Sequence, residues 1–143
     1  MEGKTTLRVS VVLESLRQEL LLDRRLTPQA TAIAAPTVHS ATAVFNPVRF
    51  SRGVAGEGLI RTILLYPAAD GRRHAQEAQW PFSILWPCSA LPAGVRLEAR
   101  AGVGAAHGSL EGGMLRLLFI LDLAVDVLEE RDFLLVDGRL TPP

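Results

Sequence analysis

The chain has 143 residues, 48% of them hydrophobic, and no net charge at pH 7. That length and composition suit one globular domain with its own core, and exclude a disordered chain. The charge balance offers no attraction to nucleic acid or an anionic membrane, and it removes the self-repulsion that opposes association.

The dominant period along the chain is two. Leu7, Val9, Val11 and Leu13 alternate with Arg8, Ser10, Val12 and Glu14, the pattern of a half-buried strand. From Glu14 to Leu22 the pattern suits either a short helix or a second strand, and the β-rich surroundings favour the strand. Thr27-Pro28-Gln29 reads as a turn or loop entry. Ala30 to Phe50 is rich in Ala, Thr, Val and Ile and is interrupted by Pro36 and Pro47, which predicts two or three short strands. The glycines at 53, 56 and 58 bracket a bend or bulge. Leu59 to Tyr66 is a strand, Asp70-Gly71 marks a hairpin, and Arg72 to Trp80 returns as its partner. The bulky segment Trp80 to Pro87 follows, then a turn at Leu91-Pro92-Ala93-Gly94.

Val95, Leu97, Ala99 and Ala101 alternate with Arg96, Glu98 and Arg100, giving another strand. Gly102 to Gly108 reads as a small-residue loop, and Glu111-Gly112-Gly113 as a turn. Leu115 to Leu128 is the longest predicted strand. One face carries Leu115, Leu117, Phe119, Leu121, Leu123, Val125 and Val127. The other starts apolar and ends acidic. Phe133 to Val136 reads as a last short strand, ended by Asp137-Gly138 before a loose tail. Many short strands with frequent turns predict an all-β domain with little helix, an antiparallel β-sandwich or Greek-key-like arrangement.

The residue types that carry chemistry are sparse. His39, His74 and His107 have no second His or Cys at a metal-ligand spacing. Cys88 is the single cysteine, so no intramolecular disulfide forms, and no base for a nucleophilic thiol is visible beside it. A buried, inert thiol is expected. Asp122 and Asp126 share a strand face about 13 Å apart, wider than paired glycosidase carboxyls. With Glu129, Glu130 and Asp132 they read as a solvated or arginine-pairing face. The glycine runs at 53–58 and 102–108 lack the phosphate-loop spacing and a following helix. Trp80, Phe82 and Trp86 are the candidate ligand-stacking or interface aromatics, with core burial as the competing role. These observations predict no catalytic residue, no metal and no cofactor.

A further pattern lies in the order of features. Pro28-Gln29-Ala30-Thr31-Ala32-Ile33 precedes an alternating strand from Ala41 to Phe45. Val48-Arg49-Phe50 leads to Val54-Ala55-Gly56-Glu57-Gly58-Leu59, then to Ile63-Leu64-Leu65-Tyr66. Trp80-Pro81-Phe82 follows the hairpin, and strands at Val95 to Ala101 and Leu115 to Val127 close the series. This order resembles the SPOCS domain of spore-coat and exosporium morphogenesis proteins in endospore-forming bacteria. The resemblance implies a β-rich module that recruits or joins other envelope proteins, with no catalytic residues to carry over. Several relatives carry a cell-wall-binding LysM domain or a second SPOCS copy, and this sequence shows neither.

Three segments are expected: an N-terminal strand segment at 1–25, a SPOCS-like β-rich core at 26–130, and a short final strand with tail at 131–143. The expected function is a self-assembling structural module of the spore envelope, as a coat, exosporium, appendage or filament subunit. Its expected partners are other copies of itself or other spore-envelope proteins. Leu7, Val9, Val11 and Leu13 are the candidate assembly strand, pairing either within the domain or with a neighbouring copy. The alternative is an adaptor that binds a peptide or peptidoglycan through Trp80 and Trp86. A third reading, a small enzyme or metal protein, would use Cys88 and the histidines. The start at Met1 to Thr6 does not read as a secretory signal, and no stretch suits a membrane span. Synthesis in the cytoplasm is expected, followed, as the resemblance implies, by deposition on the spore surface.

Overall fold

The computed structural model describes residues 5–88 and 91–142. Seven strands form: β1 (Thr5–Leu26), β2 (Thr37–Phe50), β3 (Gly53–Pro67), β4 (Arg73–Pro87), β5 (Arg96–Glu111), β6 (Met114–Val136) and β7 (Arg139–Thr141). No helix forms among the described residues. One antiparallel sheet has the order β1-β6-β5, with β7 added beside the end of β6, and the other has the order β2-β3-β4. The two sheets pack as a β-sandwich, as the sequence pattern predicts.

The inner face of β6 is the floor of the core. Leu115, Leu117, Phe119, Leu121, Leu123, Val125 and Val127 are all buried. Opposite them lie Ile60, Leu64 and Tyr66 of β3, and Phe82, Ile84 and Trp86 of β4. Side chains at alternate positions interdigitate between the two inner faces, the usual construction of a sandwich core. At Gly58 any side chain would collide with the Phe82 ring and the Val44 carbonyl oxygen. The glycine therefore lets Phe45 and Phe82, its register partners on either side, close over β3.

The chain changes sheets twice, and polar contacts lock both crossings. At the first, between β1 and β2, buried Tyr66 and Gln76 reach the connecting segment. Gln29 N–H donates to Gln76 Oε1 (2.9 Å), Ala30 N–H donates to Tyr66 Oη (3.2 Å), and Gln76 Nε2 donates to the Thr27 carbonyl (3.1 Å). Tyr66 O–H completes the network by donating to Gln76 Oε1 (3.1 Å). At the second crossing, between β4 and β5, Arg49 donates to the carbonyls of Leu91 and Pro92 at 2.6 and 2.9 Å.

β2 and β5 lie alongside each other without a shared ladder. One side of the sandwich is thus closed. β1 and β4, each paired on one side only, are the edges left on the other.

Several elements differ from their sequence patterns. β2 runs through Pro47, because β2 is an edge strand and a proline without an N–H is tolerated there. Gly102 to Gly108 is strand rather than loop; a bulge between Val103 and Ala105 absorbs Gly104. Trp80 to Pro87 continues β4, and Phe133 to Val136 continues β6. β1 pairs within its own chain. Leu16 and Leu22 belong to the main apolar cluster, and β1 is hydrogen-bonded along β6 from Thr5 to Leu26.

The Tyr66–Gln76 network gives a direct test. Tyr66→Phe leaves the Ala30 N–H and one Gln76 acceptor position short of a partner in a buried setting. Unfolding free energy in denaturant titration should fall by about 1–3 kcal/mol. Gly58→Ala should destabilise by a similar ~1–3 kcal/mol through overpacking.

Candidate functional site

The two outer faces of the sandwich differ in chemistry. On the β1-β6-β5 face, charges are matched across strands. Arg8 pairs with Asp132 at 3.3 Å, and Ser10 donates to Glu130 at 2.6 Å. Ser15 and Arg100 both reach Asp126, at 2.7 and 3.2 Å. Arg116 holds Asp23 at 2.7 Å and Glu111 at 3.2 Å. The acidic run Asp122 to Asp132 is thus largely an arginine- and serine-pairing face. Hydrogen bonding from Ser15, and then the charge and hydrogen bond of Arg100, holds Asp126 below the ordinary carboxylate range. Asp23 is lowered too, chiefly by the hydrogen bond from Arg116.

The outer face of β2-β3-β4 is apolar at one end. In register across the three strands lie Val44, Leu59 and Pro81, and two steps on Val48, Ala55 and Leu85. Val44 is 66% exposed, Val48 62% and Leu85 55%. Between these rows run Asn46, Glu57 and Ser83. Glu57 is exposed and in no ion pair among the described residues. A groove of about 1030 Å³ links this face to Leu20, Leu22 and Arg24 of β1.

A third surface is an arm. β5 accompanies β6 only as far as Leu128, opposite Arg96. Beyond it, the last part of β6 continues for roughly 25 Å at the rise of a strand. It is flanked by the first half of β1 and by β7. Leu7 lies opposite Phe133, and Leu140 opposite Leu135, so all four share the face that continues the core side of β6. None of the four belongs to the main core cluster.

The candidate assembly strand occupies this arm. Leu7, Val9 and Val11 pair with Phe133, Arg131 and Glu129 of the same chain. Leu13 does not join them as the alternation predicts. The register passes from Val12–Leu128 to Glu14–Val127, so Leu13 is the extra residue of a bulge. That one residue switches parity, so Leu7, Val9 and Val11 and the even-numbered Leu16, Leu20 and Leu22 all face the same way.

The candidate aromatics are drawn inward. Phe82 and Trp86 are buried, which removes them as a stacking platform; Trp86 tilts against Phe45 with ring centroids 5.9 Å apart. Trp80 is half-buried and tilts against Phe119 at 6.0 Å. All three alternate onto the inner face of β4, a consequence of the strand period. Cys88 is half-buried rather than fully enclosed.

The histidines are not brought together as a metal site. His74 stacks on Tyr66 and bonds Asp70 at 2.7 Å, while His39 and His107 are exposed on β2 and β5. Among the described residues, no group of three or more His, Cys, Asp or Glu side chains is placed to hold a metal ion. No described helix is long and apolar enough to cross a membrane.

No family model, curated protein or solved structure matches this chain. The site therefore rests on geometry: two free edges, an apolar arm and an apolar sheet face. Val44 and Val48 do not stand out in the sequence; only the paired register shows them aligned with Pro81 and Leu85.

The charged face makes a pH prediction. Asp23 and Asp126 have folded values below the ordinary 3.8, so their contribution is complete above 3.8 and lost as pH falls through the lower folded values. Thermal unfolding midpoints should fall as pH drops below about 4. In Asp126→Asn that fall should be smaller.

Proposed function

We propose that this chain is a structural, self-assembling interaction module of the spore envelope. The observation that carries the assembly part is the apolar arm, which extends past the end of β5 with its apolar residues outside the main core cluster. A ribbon of two or three strands is marginal alone in water and gains most from a second surface. Free edges at β1 and β4 add unpaired backbone groups, a ready template for another chain. The absence of net charge leaves no long-range repulsion between copies.

The spore-envelope part rests on the resemblance to the SPOCS domain. Several residues that carry it are structural neighbours. Gln29 and Ala30 bond to the Gln76–Tyr66 pair, and Phe82 closes over Gly58. These contacts give a physical reason for those residue types to occur in that order. On this reading, deposition on the spore surface and partnership with other coat proteins follow.

An adaptor function is the second reading, favoured by the free β4 edge and the adjoining groove. An extended peptide adds to such an edge through main-chain hydrogen bonds. Burial of Phe82 and Trp86 gives less support to glycan stacking.

Light scattering and negative-stain microscopy of the purified protein should show concentration-dependent oligomers, rings or filaments. A monomer at high concentration would count against self-assembly. Removing residues 1–14 takes away the arm's outer strand but keeps Leu16 and Leu22 in the core. The truncated chain should retain its β circular-dichroism signal and lose assembly.

A further inference from the structure

We infer that two copies of this chain pair through the free edge of β1, antiparallel about a two-fold axis at Gln18. This inference rests on the self-assembly reading and names a seam between copies. At the margins of the sandwich, β2 and β5 lie alongside each other, which leaves β1 and β4 as the open edges. β4 carries Pro81 and Pro87, and a proline has no N–H to offer a neighbouring strand. β1 contains neither proline nor glycine, and after the bulge at Leu13 it pairs with β6 residue for residue from Glu14 to Leu26. Its edge is therefore a straight, unblocked row of backbone donors and acceptors.

Unmatched charge selects the partner. Arg17 and Glu19 stand on the outer face of β1, exposed and in no ion pair among the described residues. β6 offers a complement to neither. Arg17 lies opposite Ala124, and Glu19 lies opposite Asp122, which is itself exposed and in no ion pair among the described residues. Glu19 has a like charge on one side and the open edge on the other. In an antiparallel pair centred on Gln18, Arg17 of each copy stands directly opposite Glu19 of the other, an ion pair on both sides of the axis. On the core side the same register sets Leu16 against Leu20, both already part of the apolar core or packed against it. Glu14 and Arg24, also on that side and in no ion pair among the described residues, become diagonal neighbours across the seam. Gln18 meets its own copy on the axis, where an amide can both donate and accept.

Neighbouring registers lose this match. Centring on Arg17 or on Glu19 sets like charges face to face. Centring on Leu20 sets Arg17 against Asp23, which Arg116 already holds. Centring on Leu22 puts Arg17 past the end of the partner strand and Arg24 against Leu20. The contact is isologous, so it closes at a pair. Growth beyond the pair, into rings or filaments, falls to the arm on the far side of the Leu13 bulge.

Charge reversal, read by sedimentation and light scattering, tests the seam. Arg17→Glu and Glu19→Arg change exposed side chains, so thermal midpoints should stay near wild type. Each variant alone should pair at least about tenfold more weakly, because both of its 17–19 contacts become like-charged. Mixed in equal amounts, the two should pair as well as wild type, since every 17–19 contact is then of opposite sign. On a Cys88→Ser background, Gln18→Cys should give a disulfide dimer on mild oxidation. Leu21→Cys, which meets Ser15 rather than itself, should give at least about tenfold less. Single charge variants that pair like wild type, a mixture that does not recover, or Gln18→Cys that cross-links no better than Leu21→Cys would each overturn the β1 seam and leave self-assembly standing. Wild-type protein that stays monomeric at high concentration overturns both.

Discussion

Seven apolar side chains at alternate positions from Leu115 to Val127 leave β6 with a face that must be covered along most of its length. Sheet β2-β3-β4 supplies that cover, and the rest of the architecture serves to hold it there. The chain must leave the β6 sheet after β1 and return to it at β5. Both crossings pass over the core, with Ala32 buried in it and Leu91 packed against it, so each needs its backbone groups satisfied. Tyr66 and Gln76 do this at one crossing and Arg49 at the other. Hydrophobic burial sets the distance between the sheets, and these few hydrogen bonds set the path between them.

The same constraint explains why the surface is uneven. Past the end of β5, the side chains of β6 lie outside the main core cluster, and an apolar strip emerges at the arm. The matched charges on the β1-β6-β5 face are individually weak, since exposed ion pairs contribute about 0–1 kcal/mol. Their effect is better described as specificity. They make one face content with water, while the opposite sheet shows valines and leucines in register. An association that buries the second face and spares the first has a defined orientation.

Most of the strand content was legible in the sequence because period-two alternation reports directly on a half-buried sheet. Leu115 to Val127 announced both its strand and its buried face. What alternation cannot report is a change of parity. Leu13 looks like one more member of the Leu7–Val11 series, and only the pairing with β6 reveals the bulge. Pro47 and Gly104 resemble breaks, yet an edge position and a bulge accommodate them. For Trp86 and Phe82 the sequence favoured core burial over a ligand platform but could not decide it, since alternation defines two faces without saying which is covered. The Tyr66–Gln76 lock was illegible for another reason: its partners at Thr27 to Ala30 lie far away in sequence. The arm and the apolar sheet face were hidden because each is assembled from strands that meet only in the fold.

The strand order also carries a schedule. β2, β3 and β4 are joined by two hairpins and can pair as soon as they exist, whereas β1 pairs with β6 at the other end of the chain. Its register partners run from Thr5–Leu135 to Leu26–Leu115, among the longest sequence separations the fold contains. Loop closure over such a span comes late and slowly. On the ribosome, β1 is therefore made first and paired last. Through that interval its apolar positions wait without a partner, and the β6 of a neighbouring nascent chain presents the same register as its own. The strand that closes the longest loop is thus also the one whose pairing waits for β6 to be made.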